Sequence, residues 1–68
     1  MVDVNKLKAA VVEKGLGYGE VAEKIGMSRR TWYDRISAKR FNSDEMYKLI
    51  KVLDIQNPTA IFFADEVT

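Results

Sequence analysis

The chain has 68 residues and a net charge of +1, from 11 basic and 10 acidic residues, and it contains neither histidine nor cysteine. The usual general base near neutral pH and the usual thiol nucleophile are therefore absent, as are disulfides and thiolate metal sites. We expect a single domain over residues 1–68 that is not an enzyme and binds no metal or cofactor.

The first predicted helix covers about residues 4–14. Asp3 is suited to cap its start, and Val2 and Leu7 take the two positions of a hydrophobic staple. Apolar residues then recur at i, i+3 and i+4, as Leu7, Ala10 and Val11. Gly15 is predicted to end the helix.

The second predicted helix begins at Tyr18, with Gly17 as its N-cap and Glu20 at N3. Its inward stripe is formed by Val21, Ala22 and Ile25. Gly26 supplies the backbone freedom for a tight turn out of the helix. Gly19 has two explanations, which stay open: it is tolerated near a helix end, or it lets a phosphate approach the free N–H groups there.

The third predicted helix covers residues 29–37. Ser28 is its N-cap, and Met27 and Trp32 form a staple. Trp32 and Ile36, four residues apart, are expected to be buried. A second face, at i, i+3, i+4 and i+7, contains no aliphatic residue and is formed by Arg30, Tyr33, Asp34 and Ser37.

Basic residues concentrate around this third helix. Residues 24–40 hold six basic residues and one acidic residue, whereas the rest of the chain holds five basic and nine acidic residues. Arg29 lies between the two faces of the helix, but the first turn has no preceding turn to pack on, so Arg29 can point outward. A positive surface on one side of a chain is the electrostatic mark of nucleic-acid binding. The alternative is a solvated face with scattered lysines.

The remainder of the chain predicts two further helices. Ser43 is expected to cap a fourth helix, whose first turn carries Asp44 and Glu45, where acidic side chains complement the helix dipole. Its core stripe is Met46, Leu49, Ile50 and Leu53. Asn57 and Pro58 open a short fifth helix, followed by a polar tail over residues 64–68. No segment alternates like a strand, so the fold class is all-α, a compact five-helix bundle.

The stretch over residues 18–37 resembles the helix-turn-helix of the phage Cro and repressor family, also called the Xre family of bacterial and phage transcriptional regulators. The matching residues are Val21, Ala22, Ile25, Gly26, Met27, Ser28, Thr31 and Trp32, followed by Lys39 and Arg40. Tyr18 departs from the glutamine usual in the family, and Arg35 departs from a usual aliphatic residue. The resemblance extends over the whole chain and implies a DNA-binding domain of the phage-repressor type, with the helix-turn-helix in helices 2 and 3.

By this resemblance the chain is expected to be a sequence-specific transcriptional regulator, a Cro-like repressor of a phage or prophage. Its third helix would enter the major groove of a double-stranded DNA operator. The expected base contacts are Arg29, Arg30, Tyr33 and Asp34. Asp34 either accepts from a cytosine or orients Arg30 by an i, i+4 pairing, and the second role is favoured. The expected phosphate contacts are Tyr18, Gly19, Ser28, Ser37, Lys39, Arg40 and Asn42.

Family relatives place two recognition helices on half-sites about one helical turn apart, so we also expect a weak homodimer. Its predicted interface is the run Ile61, Phe62 and Phe63. Three consecutive helical residues spread over about 200° and cannot all face inward, so one phenylalanine is expected at the surface. The alternative is that both rings cover the open end of the bundle.

No apolar run reaches the roughly 20 residues that a helix needs to span a bilayer, and no signal-peptide pattern is present. We therefore expect a cytoplasmic protein with no membrane or small-molecule partner. Two alternatives to a repressor stay open. One is a protein-interaction module on the same fold, such as an antirepressor or regulatory partner, and the other is the antidote component of a toxin system or the detached half of a longer repressor.

Overall fold

The computed structural model describes residues 1–66, which form five α-helices and a short 3₁₀ turn. These elements are α1 (Val4–Glu13), α2 (Tyr18–Lys24), α3 (Arg29–Ala38), α4 (Ser43–Leu53), α5 (Pro58–Phe62) and the 3₁₀ turn Ala64–Glu66. The predicted all-α class and the five predicted helices are confirmed. The Cα radius of gyration is 10.9 Å, about the value of a compact chain of this length.

The predicted N-caps of α1 and α3 are confirmed. The carboxylate of Asp3 accepts a hydrogen bond from the backbone N–H of Lys6 at 3.1 Å, and the hydroxyl of Ser28 accepts one from the N–H of Thr31 at 3.1 Å. Gly17, the predicted cap of α2, has no side chain, and its own N–H donates to the carboxylate at N3. Each of these hydrogen bonds pairs a backbone N–H group at a helix start that would otherwise lack a partner within the helix.

The glycines predicted to end α1 and α2 both take the left-handed conformation. Gly15 has φ +72° and Gly26 has φ +73°. This region of backbone space is unfavourable for residues with a Cβ, which explains why glycine stands at both exits. The turn from Gly26 to Ser28 is tight, and it brings α3 directly against α2.

The predicted cap of α4 is wrong by one residue. Asn42, and not Ser43, caps the helix: its side-chain Oδ1 accepts from the N–H of Glu45 at 2.8 Å, and its own N–H donates to Glu45 Oε1 at 2.9 Å. Asn42 and Ser43 both have capping chemistry. Asn42 is extended (φ −79°, ψ 171°) and completes a reciprocal capping box with Glu45, so Ser43 becomes the first helical residue.

Residues 64–66 of the predicted polar tail form the 3₁₀ turn, in which Asp65 and Glu66 are exposed. Its first residue donates from Ala64 N to the carbonyl of Met1, and Asp3 N donates to the carbonyl of Ile61 at 2.7 Å. Val2 N donates to the carbonyl of Lys39. The first three residues therefore join the end of α3 to α5. Residues 67 and 68 of the predicted tail lie outside the described residues.

The core lies where α2 packs against α3 and α4, and where α1 packs against α5. Its buried apolar residues are Val2, Leu7, Val11, Val21, Ala22, Ile25, Trp32, Phe41, Leu49, Leu53, Ile61 and Phe62. Phe41 was not predicted to be buried, because it stands in a short loop outside any periodic pattern. It fills the space between α3 and α5.

Trp32 is the centre of this core, with none of its side chain exposed. Its ring centroid lies 5.3 Å from that of Tyr18 and 5.4 Å from that of Phe41, and Phe41 lies 6.4 Å from Phe62. These tilted and edge-on contacts link α2, α3 and α5. Within residues 1–66 the indole N–H has no hydrogen-bond partner. That unpaired group costs about 1–3 kcal/mol, less than the roughly 4–6 kcal/mol that burying an indole contributes.

One ion pair fixes the end of α3 to the start of α4. Arg35 Nε donates to Glu45 Oε1 at 3.0 Å and to Oε2 at 3.2 Å. Burial raises the pKa of the Glu45 carboxyl, but hydrogen bonds from Arg35 and from the Asn42 backbone outweigh burial and leave that pKa below its usual value. Arg35 therefore has a structural partner that the sequence alone did not indicate.

This ion pair predicts a specific pH dependence of stability. A carboxyl whose pKa is lower in the folded state stabilises the fold above its unfolded pKa, and the stabilisation is lost as the pH falls through the folded value. Glu45→Gln should cost about 1 kcal/mol at pH 7 and flatten the loss of stability between pH 7 and about 3. Urea unfolding over this pH range measures both effects. Glu13→Gln, on the exposed side of α1, is the control, and equal pH profiles for wild type and Glu45→Gln would contradict the assignment.

Candidate nucleic-acid interface

The outer face of α3 is exposed along its length. Its exposed residues are Arg30, Tyr33, Asp34 and Ser37, the polar positions predicted from the sequence, and Arg29 at the start of the helix is exposed as well. The opposite side of the helix carries Trp32 in the core and Ile36 packed against it. Because the buried side anchors the helix, the outer side chains are not needed to hold the fold.

Arg30 and Asp34 do not form the predicted pair. Over residues 1–66 the ion pairs are Met1 with Asp65, Lys14 with Asp54, and Arg35 with Glu45. The expectation that Asp34 orients Arg30 is therefore wrong for the free protein. An exposed i, i+4 pair contributes only a few tenths of a kcal/mol, too little to hold two long side chains together. Both groups remain available to a ligand.

Tyr18 joins the start of α2 to the outer face of α3. Its ring is half-buried against Trp32, and its centroid lies 6.0 Å from that of Tyr33 in an edge-on arrangement. Burial, with a smaller effect from Tyr33, raises the pKa of the Tyr18 hydroxyl above its usual value. The hydroxyl is therefore protonated at neutral pH and able to donate a hydrogen bond.

Gly19 lies directly beneath the guanidinium of Arg29. A Cβ built on Gly19 would stand 2.6 Å from both Cζ and Nε of Arg29, closer than real Cβ atoms approach another heavy atom. Neither explanation offered for Gly19 from the sequence includes this contact. A glycine inside a helix, close to the first turn of the next helix, is the signal that points to it.

Two of the predicted phosphate contacts have other partners. The hydroxyl of Ser28 caps α3 and donates to Thr31 Oγ1 at 3.0 Å, and the amide oxygen of Asn42 caps α4. Both side chains have structural roles in the free protein. Both residues are nonetheless exposed.

The end of α3 carries the remaining predicted phosphate contacts. Ser37, Lys39 and Arg40 are all exposed. Lys39 takes the left-handed conformation at φ +56°, and its carbonyl accepts from Val2 N at 3.0 Å. The backbone of this corner is thus held from two sides, and its cationic side chains extend into solvent.

Lys24 lies elsewhere. It lines a surface cavity of about 470 Å³ with Tyr47, Lys48 and Lys51, on the α2–α4 side of the molecule. Lys51 Nζ stands 5.1 Å from the centroid of the Tyr47 ring. The sequence did not single out this cluster, although its α4 members fall at i, i+1 and i+4, outside the apolar stripe of that helix.

The predicted dimer residues are divided between core and surface. Ile61 and Phe62 are buried, at 9% and 3% exposure, whereas Phe63 is 43% exposed. One phenylalanine at the surface agrees with the prediction, but Ile61 and Phe62 are wrong as interface residues of the folded monomer. α5 packs against α1, and Phe62 contacts Phe41. Of the three residues, this leaves only Phe63 for a partner. Phe63 lines a cavity of about 420 Å³ with Met1, Lys39 and Arg40 among others.

Two further observations concern the described part of the chain. Residues 1–66 contain no group of three or more acidic, histidine or cysteine side chains that could hold a metal ion. None of their helices is both long enough and apolar enough to cross a membrane.

Comparisons with protein-family models, with curated proteins and with solved structures find no match for this chain.

Proposed function

We propose that this chain is a sequence-specific DNA-binding regulator that resembles the Cro-like repressors of phages and prophages. In this proposal α2 and α3 form a helix-turn-helix, and α3 enters the major groove of a DNA operator. One observation carries the proposal most: Arg30 and Tyr33 project from an exposed face of α3, while Trp32 on the opposite face is completely buried.

The charge of this face supports the proposal. Arg29 and Arg30 take part in none of the ion pairs formed within residues 1–66. An unneutralised guanidinium matches the phosphates and guanine edges of DNA. Lys39 and Arg40 add two positive charges at the other end of the helix.

The outer face offers a distinct contact for each side chain. Arg30 has the two parallel donors that match O6 and N7 of a guanine. Tyr33 can contact a thymine methyl group, and Asp34, which has no ion-pair partner among the described residues, can accept from a cytosine N4. In this proposal the exposed residues Ser37, Lys39 and Arg40 contact phosphates, and these contacts set the register without reading sequence.

A dimer on the operator is part of the proposal. Phe63, which directly follows α5, is the exposed member of the run from Ile61 to Phe63, and Met1 beside it is 64% exposed. Together they form a small apolar patch next to the cationic end of α3. A contact between two such patches would be weak in solution and strengthened when both copies bind one duplex.

The first test concerns Arg30. After a preferred site is selected from random duplexes with the wild type, Arg30→Ala should bind that site about 1–3 kcal/mol more weakly and lose preference at one base pair. Arg30→Lys keeps the charge but removes the paired donors, so it should lose the same preference. Titrations of the selected and random duplexes measure both quantities.

Lys8→Ala, an exposed cation on α1, is the control and should bind as the wild type does. Equal weakening of Arg30→Ala on selected and random DNA would make Arg30 a phosphate contact. Failure of the wild type to enrich any site would contradict the proposal and favour a protein-interaction module.

The second test concerns the dimer. Phe63→Ser should leave the fold intact, because Phe63 is exposed, and should lower the fraction of operator bound by two copies. Sedimentation of protein–duplex mixtures measures this fraction. Val12→Ser, at 64% exposure on α1, is the matched control. Phe62→Ser is unsuitable because it would disrupt the core, and unchanged two-copy binding by Phe63→Ser would place the interface elsewhere.

A further inference from the structure

Arg29 and Arg30 are neighbours in the sequence, but they have different surroundings. Arg30 projects from the outer face of α3. The guanidinium of Arg29 instead lies across the first turn of α2, in the space that a side chain on Gly19 would fill. The absence of a Cβ at position 19 is therefore what allows Arg29 to take this position.

The place of Arg29 differs from that of a base contact. In a helix-turn-helix complex the second helix lies in the major groove, and the first helix crosses the DNA backbone. A guanidinium that packs on the first helix therefore lies at the rim of the groove, where the phosphates run. Arg30 and Tyr33 occupy the face that points to the floor of the groove.

The neighbourhood of Arg29 lacks an internal partner for its charge. No ion pair formed within residues 1–66 includes it. Tyr18, which precedes Gly19 in the chain, contacts Tyr33 edge-on and supplies no negative charge. An arginine that has no carboxylate partner and lies over a glycine matches an external anion.

We propose that Arg29 contacts a phosphate of the DNA backbone, and that Gly19 is the residue that positions it there. This inference rests on the proposed function. It assigns the two adjacent arginines different roles, since Arg30 reads a base and Arg29 sets the register of α3 in the groove. It also replaces the prediction that Arg29 reads a base.

Gly19→Ala tests the inference because its Cβ must displace the Arg29 guanidinium. Gly17→Ala is the matched control: it lies two residues away, its φ is −106°, and the nearest atom to its Cβ is Glu20 Oε1 at 3.7 Å. The DNA probes are a duplex carrying the site selected by the wild type and a duplex of random sequence.

Gly19→Ala and Arg29→Ala should each bind both duplexes about tenfold more weakly. Each should lower the slope of log K against log salt by about 1 and leave the base preference unchanged. The double variant should bind no more weakly than Arg29→Ala, because the two changes remove the same contact. Gly17→Ala should bind as the wild type does.

Two measurements on the free protein separate positioning from loss of fold. Alanine is a better helix former than glycine, so the Tm of Gly19→Ala should not fall. The NMR signal of the Arg29 Nε–H group should shift in Gly19→Ala and stay in place in Gly17→Ala. A change in binding with an intact fold and a shifted Arg29 signal would support the inference.

Three results would overturn it. If Arg29→Ala relaxes preference at one base pair, Arg29 reads a base, and the proposed function still stands. If Gly19→Ala binds like the wild type while Arg29→Ala binds more weakly, Gly19 does not position Arg29. If the wild type has neither base preference nor salt-dependent binding, the proposed function itself is wrong, and this inference fails with it.

Discussion

The burial of Trp32 is the constraint on which the rest of the structure depends. A single indole side chain on α3 contacts Tyr18 from α2 and Phe41 from the loop before α4, and Phe41 in turn contacts Phe62 of α5. In a chain of 68 residues few side chains can hold a helix by themselves. Because Trp32 anchors α3 from one side, the side chains on the other side do not have to pack against the core. That face is therefore free to consist of polar residues.

The arginines of α3 illustrate how one helix divides its charges. Arg35, half-buried near the end of the helix, pairs with Glu45 and joins α3 to α4. The guanidinium of Arg29 packs against Gly19 of α2, and Arg30 projects into solvent. The three arginines of this ten-residue helix thus have three environments, set by the position of each around the helix and by its neighbour. The neighbour is a glycine for Arg29 and a glutamate for Arg35.

Much of the fold could be predicted from the sequence, because caps, glycine exits and apolar stripes are local signals. Asp3, Ser28 and Gly26 fix helix ends through groups only a few residues away. The outer face of α3 was predictable for the same reason, since helical periodicity alone separates it from Trp32. The errors arose where neighbouring residues compete: Asn42 and Ser43 have the same capping chemistry, and only the backbone conformation decides between them.

The remaining errors involve contacts between distant parts of the chain. Phe41 follows no periodic pattern, so its burial depends on the rings from α3 and α5 that meet it. The sequence does not distinguish Phe63 from Ile61 and Phe62. The direction of α5 relative to α1 determines that Ile61 and Phe62 are buried and that Phe63 is exposed. The contact of Arg29 with Gly19 depends on how α3 crosses α2, which periodicity does not specify.

In the proposed function the first turn of α2, the outer face of α3 and the corner after it form one DNA-binding surface. NMR mapping of the backbone amide signals of ¹⁵N-labelled protein, during titration with the selected duplex, tests whether they do. We expect the largest shifts at Gly19, Arg30, Tyr33 and Lys39, with Val12 on α1 and Tyr47 on α4 little changed. Shifts centred on Tyr47, Lys48 and Lys51, or no shifts at all, would contradict it.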